Sequence, residues 1–298
     1  MTIILGIFEE GLIYAIMALG VYITYKILDF PDLSVDGTFP LGSALTASLI
    51  VKGISPVLAL PLSFLAGSLA GCVTGLIHVK CKVRDLFSGI IVMTALYSIN
   101  LRIAGMKANL PFLSQDTIFD NPWTRTALPP LMGPYITVIL LTVIVCICKL
   151  LLDWYLSTKS GYLLRAAGDN DILVTSLARD KGRVKIIGLA IANGFAALAG
   201  GVLAQKQAFF DISIGTGTMV FGLASVILGT QLFKRSGSLK ATTAVIAGAI
   251  LYKACVALVI SLRIVKAADL KLITAAILLL ILVISDSVKR RRTRHAGA

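Results

Sequence analysis

Nine residues in two short stretches could handle a polar solute inside an otherwise apolar chain. Asp32, Ser34, Asp36, Gly37 and Thr38 fall in LDFPDLSVDGTFPLGSA, and Asp211, Ser213, Thr216 and Gly217 fall in AFFDISIGTGT. The chemistry they offer is replacement of water. Hydroxyls and carboxylates bond a polar solute, and a late-starting helix leaves N–H groups free to meet an anion. The stretches also echo each other. Phe30–Val35 is F-x-D-L-S-V, and Phe209–Ile214, 179 positions later, is F-x-D-I-S-I. Five matches over six positions can arise by chance. As a repeat, matched polar interruptions in two halves of an apolar chain mark a transporter's substrate path. On that reading Asp32 and Asp211 cap and hold interrupted helices, while Ser34, Thr38, Ser213 and Thr216 stand nearer the solute.

The elements that must position them are membrane helices. The 298 residues are 57% hydrophobic and 14% charged, with mean hydropathy +0.91. A soluble domain carries roughly 25% charged residues, and the deficit here runs evenly along the chain. We read residues 1–298 as one polytopic, all-α membrane domain. At about 20 apolar residues per span, the length allows eight to ten. Nine apolar segments are expected, at 3–25, 37–51, 55–77, 85–104, 133–156, 185–204, 217–233, 240–262 and 268–286. The second holds Gly37, Pro40 and Gly42 and is expected to be a broken helix, since Pro lacks a backbone donor and clashes with the preceding turn. The third carries Gly67, Gly71 and Gly75, four apart on one face, where another backbone can approach closely.

The net charge of +13 does not point to nucleic acid. The basic residues sit between apolar runs, as loop anchors do. The dense run Lys289–Arg294, in the basic tail 287–298, suits a cytoplasmic anchor near anionic lipid. Alternating nine spans with the N-terminus outside puts eighteen Lys and Arg in inside loops and eight in outside loops, in keeping with the positive-inside bias. The two D-x-S stretches then face opposite sides, so the repeat is inverted. No Lys or Arg precedes Lys26, so no positive n-region of a signal peptide is seen. Five cysteines without C-x-x-C, and two histidines, indicate neither disulfide framework nor metal site.

Two loops exceed connector length. Residues 105–132, expected outside, hold four prolines and Trp123; they suit an interfacial helix, a docking surface or a structured cap. Residues 157–185, expected inside, read STKSGYLLRAAGDNDILVTSLARDKGRVK once Ser157 opens the loop. Leu163–Ala167 and Ile172–Ala178 are helix-compatible, Gly168, Asp169 and Asn170 read as a turn between them, and Gly182 reads as a helix stop. Such a hairpin suits a docking knob.

This loop carries a family resemblance. G-x-x-x-R-A-x-G-x-N, here Gly161, Arg165, Ala166, Gly168 and Asn170, with Leu164 and Asp169 between them, resembles the coupling-helix signature of ABC importer permeases of the branched-chain amino acid and ribose class. The usual Gly after the Leu near the motif's end is replaced by Ala178. LDFPDLSVDGTFPLGSA, ANGFAALAGGVLAQKQAFFDISIGTG, GLASVILG and ADLKLITA narrow the likeness to permeases of tryptophan or tyrosine uptake systems. The resemblance covers nearly the whole chain. It implies a homodimer, two copies of a separate ATP-binding cassette subunit, an external substrate-binding lipoprotein, and a cobalamin-importer-like (type II importer) fold with an inverted internal repeat. It implies no cofactor.

Two rival classes remain at this point. A secondary transporter typically couples through intramembrane carboxylates, but apart from Glu9 and Glu10 the acids fall at segment edges. An intramembrane enzyme would need a site, and neither H-E-x-x-H nor an aspartate pair at helix centres occurs. No G-x-x-x-x-G-K-[ST] occurs either, so a partner must hydrolyse ATP. Lys253 lies deep in a segment, where it could bind a substrate carboxylate, snorkel, or pair with Asp269. Asn100 and Asn193 are expected to bond neighbouring helices.

Overall fold

The structure is a computed structural model that describes residues 2–122, 133–169, 180–233 and 239–261, with 275–276 and 279 beyond them. Its helices are α1 (Thr2–Val21), continuing through a wide turn at Tyr22–Ile27, α2 (Val35–Val51), α3 (Pro56–Lys80), α4 (Asp85–Ile103), α5 (Gly133–Leu156), α6 (Lys159–Asp169), α7 (Lys181–Gln207), α8 (Thr218–Leu232) and α9 (Ala241–Ser261). Two short strands, β1 (Asn109–Pro111) and β2 (Phe209–Asp211), pair antiparallel with Leu110 opposite Phe210. Seven helices among the described residues are long and apolar enough to cross a membrane, and Val35–Val51 is a shorter apolar one. The ninth expected segment, 268–286, lies outside the described residues except at 275–276 and 279.

Central to the bundle is α7, the most buried of the seven. Its burial rests on small residues. A Cβ added at Gly67, Gly71 or Gly75 of α3 would meet Asn193, Leu189 or Ile186 of α7. The three glycines thus form the flat face the sequence suggested, and the helices close backbone to backbone. Gly42 of α2 and Gly20 of α1 abut the carbonyls of Ala197 and Ala192 in the same way. Leucines and isoleucines on the opposite faces of α3, α4 and α5, such as Leu65, Leu69, Ile91, Ile147 and Leu150, are exposed and suited to lipid. Gly71→Leu is expected to force α3 off α7, since overpacking a tight contact costs about 1–3 kcal/mol or more. A fall in detergent melting temperature, with Leu69→Ala unchanged as a lipid-face control, checks this.

The packed pairs have a regular pattern. α1 lies on α9 as α7 lies on α3, α1 meets α8 as α7 meets α2, and α2–α3 pair as α8–α9 do. The set is unchanged when the first three helices are exchanged with the last three. The two ends of the bundle are distinct. At one end β1 and β2 pair, α1 begins and α7 finishes, with Glu9 on Lys206. At the other, α6 packs under the end of α1 and the start of α7.

Three local expectations are corrected. Helix α2 is continuous through Pro40; the interruption lies before it, at residues 28–34, and Gly215 closes on the Asp36 carbonyl and the Pro40 ring. Gly168 and Asp169 are not a turn but the last residues of α6. Gly168 is needed there because an added Cβ would collide with the Ile27 carbonyl and meet Leu28. Gly182 does not stop a helix; it sits in the first turn of α7, its N–H donating to the Asp180 side chain at 2.8 Å. Asn170 and the second helix expected at Ile172–Ala178 lie outside the described residues. Residues 109–122 form a structured cap: Phe112 is buried, and the Ile118 N–H donates to Gln205 Oε1 at 3.0 Å.

Candidate functional site

The first polar stretch folds into a knot around Asn193. Asn193 Nδ2 donates to Asp32 Oδ2 at 2.7 Å and to the Leu189 carbonyl at 3.0 Å. Its Oδ1 accepts from Ser34 Oγ at 3.0 Å and Thr38 Oγ1 at 2.8 Å. Asp32 Oδ1 accepts from the Ser34 N–H at 2.9 Å. Asp32, Ser34, Thr38 and Asn193 are all fully buried. Every amide hydrogen and both lone-pair directions of Asn193 are used, which is what a buried amide requires. Nearby, Asn100 Nδ2 donates to the Gly37 carbonyl at 3.1 Å. Both asparagines bond neighbouring helices, as the sequence suggested.

The second stretch repeats the local geometry. Asp211 Oδ1 accepts from the Ser213 N–H at 2.7 Å and from Ser213 Oγ at 2.6 Å, the same Asp-to-n+2 turn that Asp32 makes. Thr216 Oγ1 donates to the Ser213 carbonyl. Ser213 and Thr216 are exposed, and Asp36 and Gly217 are half-buried.

Asp36 joins the two stretches. Its carboxylate accepts from the Gly217 N–H at 3.0 Å, Thr218 Oγ1 at 2.9 Å and the Met219 N–H at 2.7 Å. These are the leading donors of α8, whose own N-cap, Gly217, has no side chain to offer and holds φ 85°. A carboxylate there meets both the unpaired donors and the positive end of the helix dipole. Thus α2 and α8 start side by side, partway along α7, and run toward opposite ends of the bundle.

At the other end, α6 shows two faces. Gly161, Leu164 and Gly168, at helical spacing, press on Leu156, on Leu28 and Gly188, and on Ile27. Ala166 is half-buried, and Tyr162 and Arg165 point out. The motif's glycines therefore seat the helix, and its arginine stays exposed. A cleft of about 530 Å³ lies beside it, lined by Tyr22, Asp153, Tyr162, Arg165, Lys240 and Thr242. Asp153 organises that cleft: it accepts from Thr242 Oγ1 at 2.6 Å and pairs with Lys149 at 2.9 Å and Lys240 at 3.4 Å. Sequence reading passed over Asp153, whose visible signal is Lys149 one turn before it. It also did not foresee the partner of Lys253, which is Glu10 at 3.0 Å; Asp269 lies outside the described residues.

A helical bundle of long apolar helices, with polar helix starts meeting inside it, is the architecture of a polytopic membrane protein. Residues 3–284 match the family model described as branched-chain amino acid transport system / permease component, and the chain belongs to that family. It is 44% identical to a tyrosine transport system permease protein of Clostridioides difficile, over 94% of this chain and 90% of that protein. It is 24% identical to a ribose import permease protein of Escherichia coli K12, over 75% and 68% of the two chains. It is 27% identical to a probable branched-chain amino acid transport permease protein of Methanocaldococcus jannaschii, over 72% and 70%. No solved structure matches. The chain is accordingly the non-catalytic, membrane-spanning permease component of an ABC transport system; ATP is hydrolysed by separate subunits, and a binding protein works with them.

Proposed function

We propose that this permease imports an aromatic amino acid, of the tyrosine or tryptophan kind, across a bacterial cytoplasmic membrane. The observation that carries the substrate is the 44% identity, over nearly the whole of both chains, to a tyrosine transport permease. The working unit is a homodimer with two ATP-binding cassette subunits and an external binding lipoprotein. The N-terminus and the β1–β2 end face outside, and α6 and the C-terminus face the cytoplasm, which agrees with the bias of basic residues toward the α6 side. The exchange symmetry of helix packing and the twin Asp-x-Ser turns support an inverted repeat and a cobalamin-importer-like fold.

The solute path follows the joint where α2 and α8 begin. Asp36, Ser213, Thr216 and Gly217, exposed or half-buried, line it, and Asp32, Ser34, Gly37, Thr38 and Asp211 hold the surrounding backbone. α6 is the coupling helix, with Gly161, Leu164, Ala166 and Gly168 seating it and Arg165 toward the ATPase; by the motif, Asp169 and Asn170 are assigned to the same role. Uptake of labelled L-tyrosine and L-tryptophan into vesicles holding the permease, its ATPase and its binding protein tests the whole reading. ATP-dependent uptake of either supports it; uptake only of sugars or of aliphatic amino acids refutes the substrate. Arg165→Glu reverses an exposed charge without touching the seated face. The variant is expected to fold, to co-purify with at least tenfold less ATPase, and to lose uptake in proportion. Full ATPase recovery would remove α6 from the coupling role.

A further inference from the structure

The Glu10–Lys253 couple has no part in the packing described above, and each charge is expensive inside a span. Lys253 Nζ lies 3.0 Å from Glu10 Oε2, 4.0 Å from the centre of the Tyr14 ring and 4.7 Å from that of Phe221. The ammonium is held on three sides, and its side chain is 10% exposed, whereas that of Glu10 is 52% exposed. A half-open carboxylate in a membrane helix does not face hydrocarbon without heavy cost, so its open side faces water or a polar partner. The two rings belong to a longer aromatic run. Tyr14 stacks on Phe39 at 5.8 Å and on Phe221 at 5.3 Å, and Phe221 meets Tyr252 edge-on at 5.4 Å. Phe39 is in the first turns of α2 and Phe221 in the first turn of α8, so the run leads from the charged couple to the Asp36 joint.

We infer that Glu10 and Lys253, with the adjoining rings, form a recognition point for the zwitterionic end of an aromatic amino acid. It lies between the β1–β2 end and the joint. The inference rests on the amino-acid importer reading and adds the residues that recognise the solute. Arrival of a zwitterion exchanges one internal ion pair for two: the solute carboxylate meets Lys253, and its ammonium meets Glu10. A solute with one charge satisfies one partner and strands the other, which is costly away from water. A sugar satisfies neither. The solute ring then lies beside the half-buried Tyr14 and Phe221, where an edge contact is worth about 0.5–1.5 kcal/mol. A purely structural ion pair does not need the open carboxylate.

The test uses the permease–ATPase complex in nanodiscs, without binding protein, and three probes. L-Tyrosine carries both charges, tyramine lacks the carboxylate, and 3-(4-hydroxyphenyl)propionate lacks the amine. Binding is read by saturation-transfer NMR titration. L-Tyrosine is expected to bind at least tenfold tighter than either analogue, and Glu10→Gln/Lys253→Met is expected to bring all three within about twofold. Equal binding of the three probes to the unaltered complex overturns the inference, as does absence of tyrosine binding or a preference that survives in the double variant. Should the double variant not assemble, the comparison of probes on the unaltered complex decides alone. Uptake by the complete system separates the two levels. Tyrosine uptake without probe preference removes the recognition point and leaves the importer standing, whereas no amino-acid uptake removes both.

Discussion

Asn193→Asp is expected to yield almost no folded protein, and Asn193→Ala to lower stability by roughly 3 kcal/mol or more. Alanine removes four hydrogen bonds from a fully buried site. It strands Asp32 Oδ2 and the Ser34 hydroxyl, each at about 1–3 kcal/mol when no water can reach it, and leaves Thr38 Oγ1 only its long bond to the Val35 carbonyl at 3.4 Å. Aspartate does worse. It puts a second carboxylate where Nδ2 now donates to Asp32 at 2.7 Å, and two buried like charges at that distance cannot both stay ionised. The double change Asp32→Asn/Asn193→Asp restores one amide and one acid in the same pair and is expected to recover much of the loss. Melting temperatures from size-exclusion chromatography in detergent should rank the double variant above Asn193→Ala, and Asn193→Asp last. An Asn193→Asp protein as stable as the original would mean that the knot contributes little.

How much of this was legible follows from the physics of each part. The helices were legible because hydrocarbon demands long apolar runs, and eight of the nine expected segments coincide with helices. The small face Gly67–Gly71–Gly75 was legible too, since its spacing alone puts the glycines on one side of α3, although its partner on α7 was not. The break in the first polar stretch was misplaced. Pro40 drew attention to itself, but early in a helix, with Gly215 against the Asp36 carbonyl, proline is tolerated. Gly168 was misread for a related reason: a glycine that permits close approach looks in sequence like one that makes a turn. Long-range partners were the hardest. Glu10 and Lys253 are 243 positions apart, and Asp36 meets α8 across 181 or more; nothing local to either residue names the other. The twin F-x-D-x-S stretches gave the matching turns but did not reveal that Asp36, outside the echo, ties the stretches together.

That tie carries the second large expectation. Asp36→Ala should reduce solute uptake by at least tenfold while costing only about 1–2 kcal/mol of stability, the ordinary price of a lost helix cap. The stability cost is modest because Asp36 and Gly217 are half-buried, so water can reach the Gly217 N–H once the carboxylate is gone. The functional cost is larger because the bonds lost are the ones from α2 to α8 across the joint, and those helices then shift independently there. Asp36→Asn keeps one acceptor oxygen and gives up the charge that suits the positive end of α8; it should retain intermediate uptake. Asp36→Glu keeps the charge but is one methylene too long for three simultaneous bonds, so it should fall between Asn and Ala. Uptake in vesicles containing the ATPase and binding protein, set beside the melting temperature of each variant, reads the two effects separately. Asp36→Ala with normal uptake would show that α2 and α8 need not be held together for transport. A melting loss as large as that of Asn193→Ala would place Asp36 in the folding core instead of on the path.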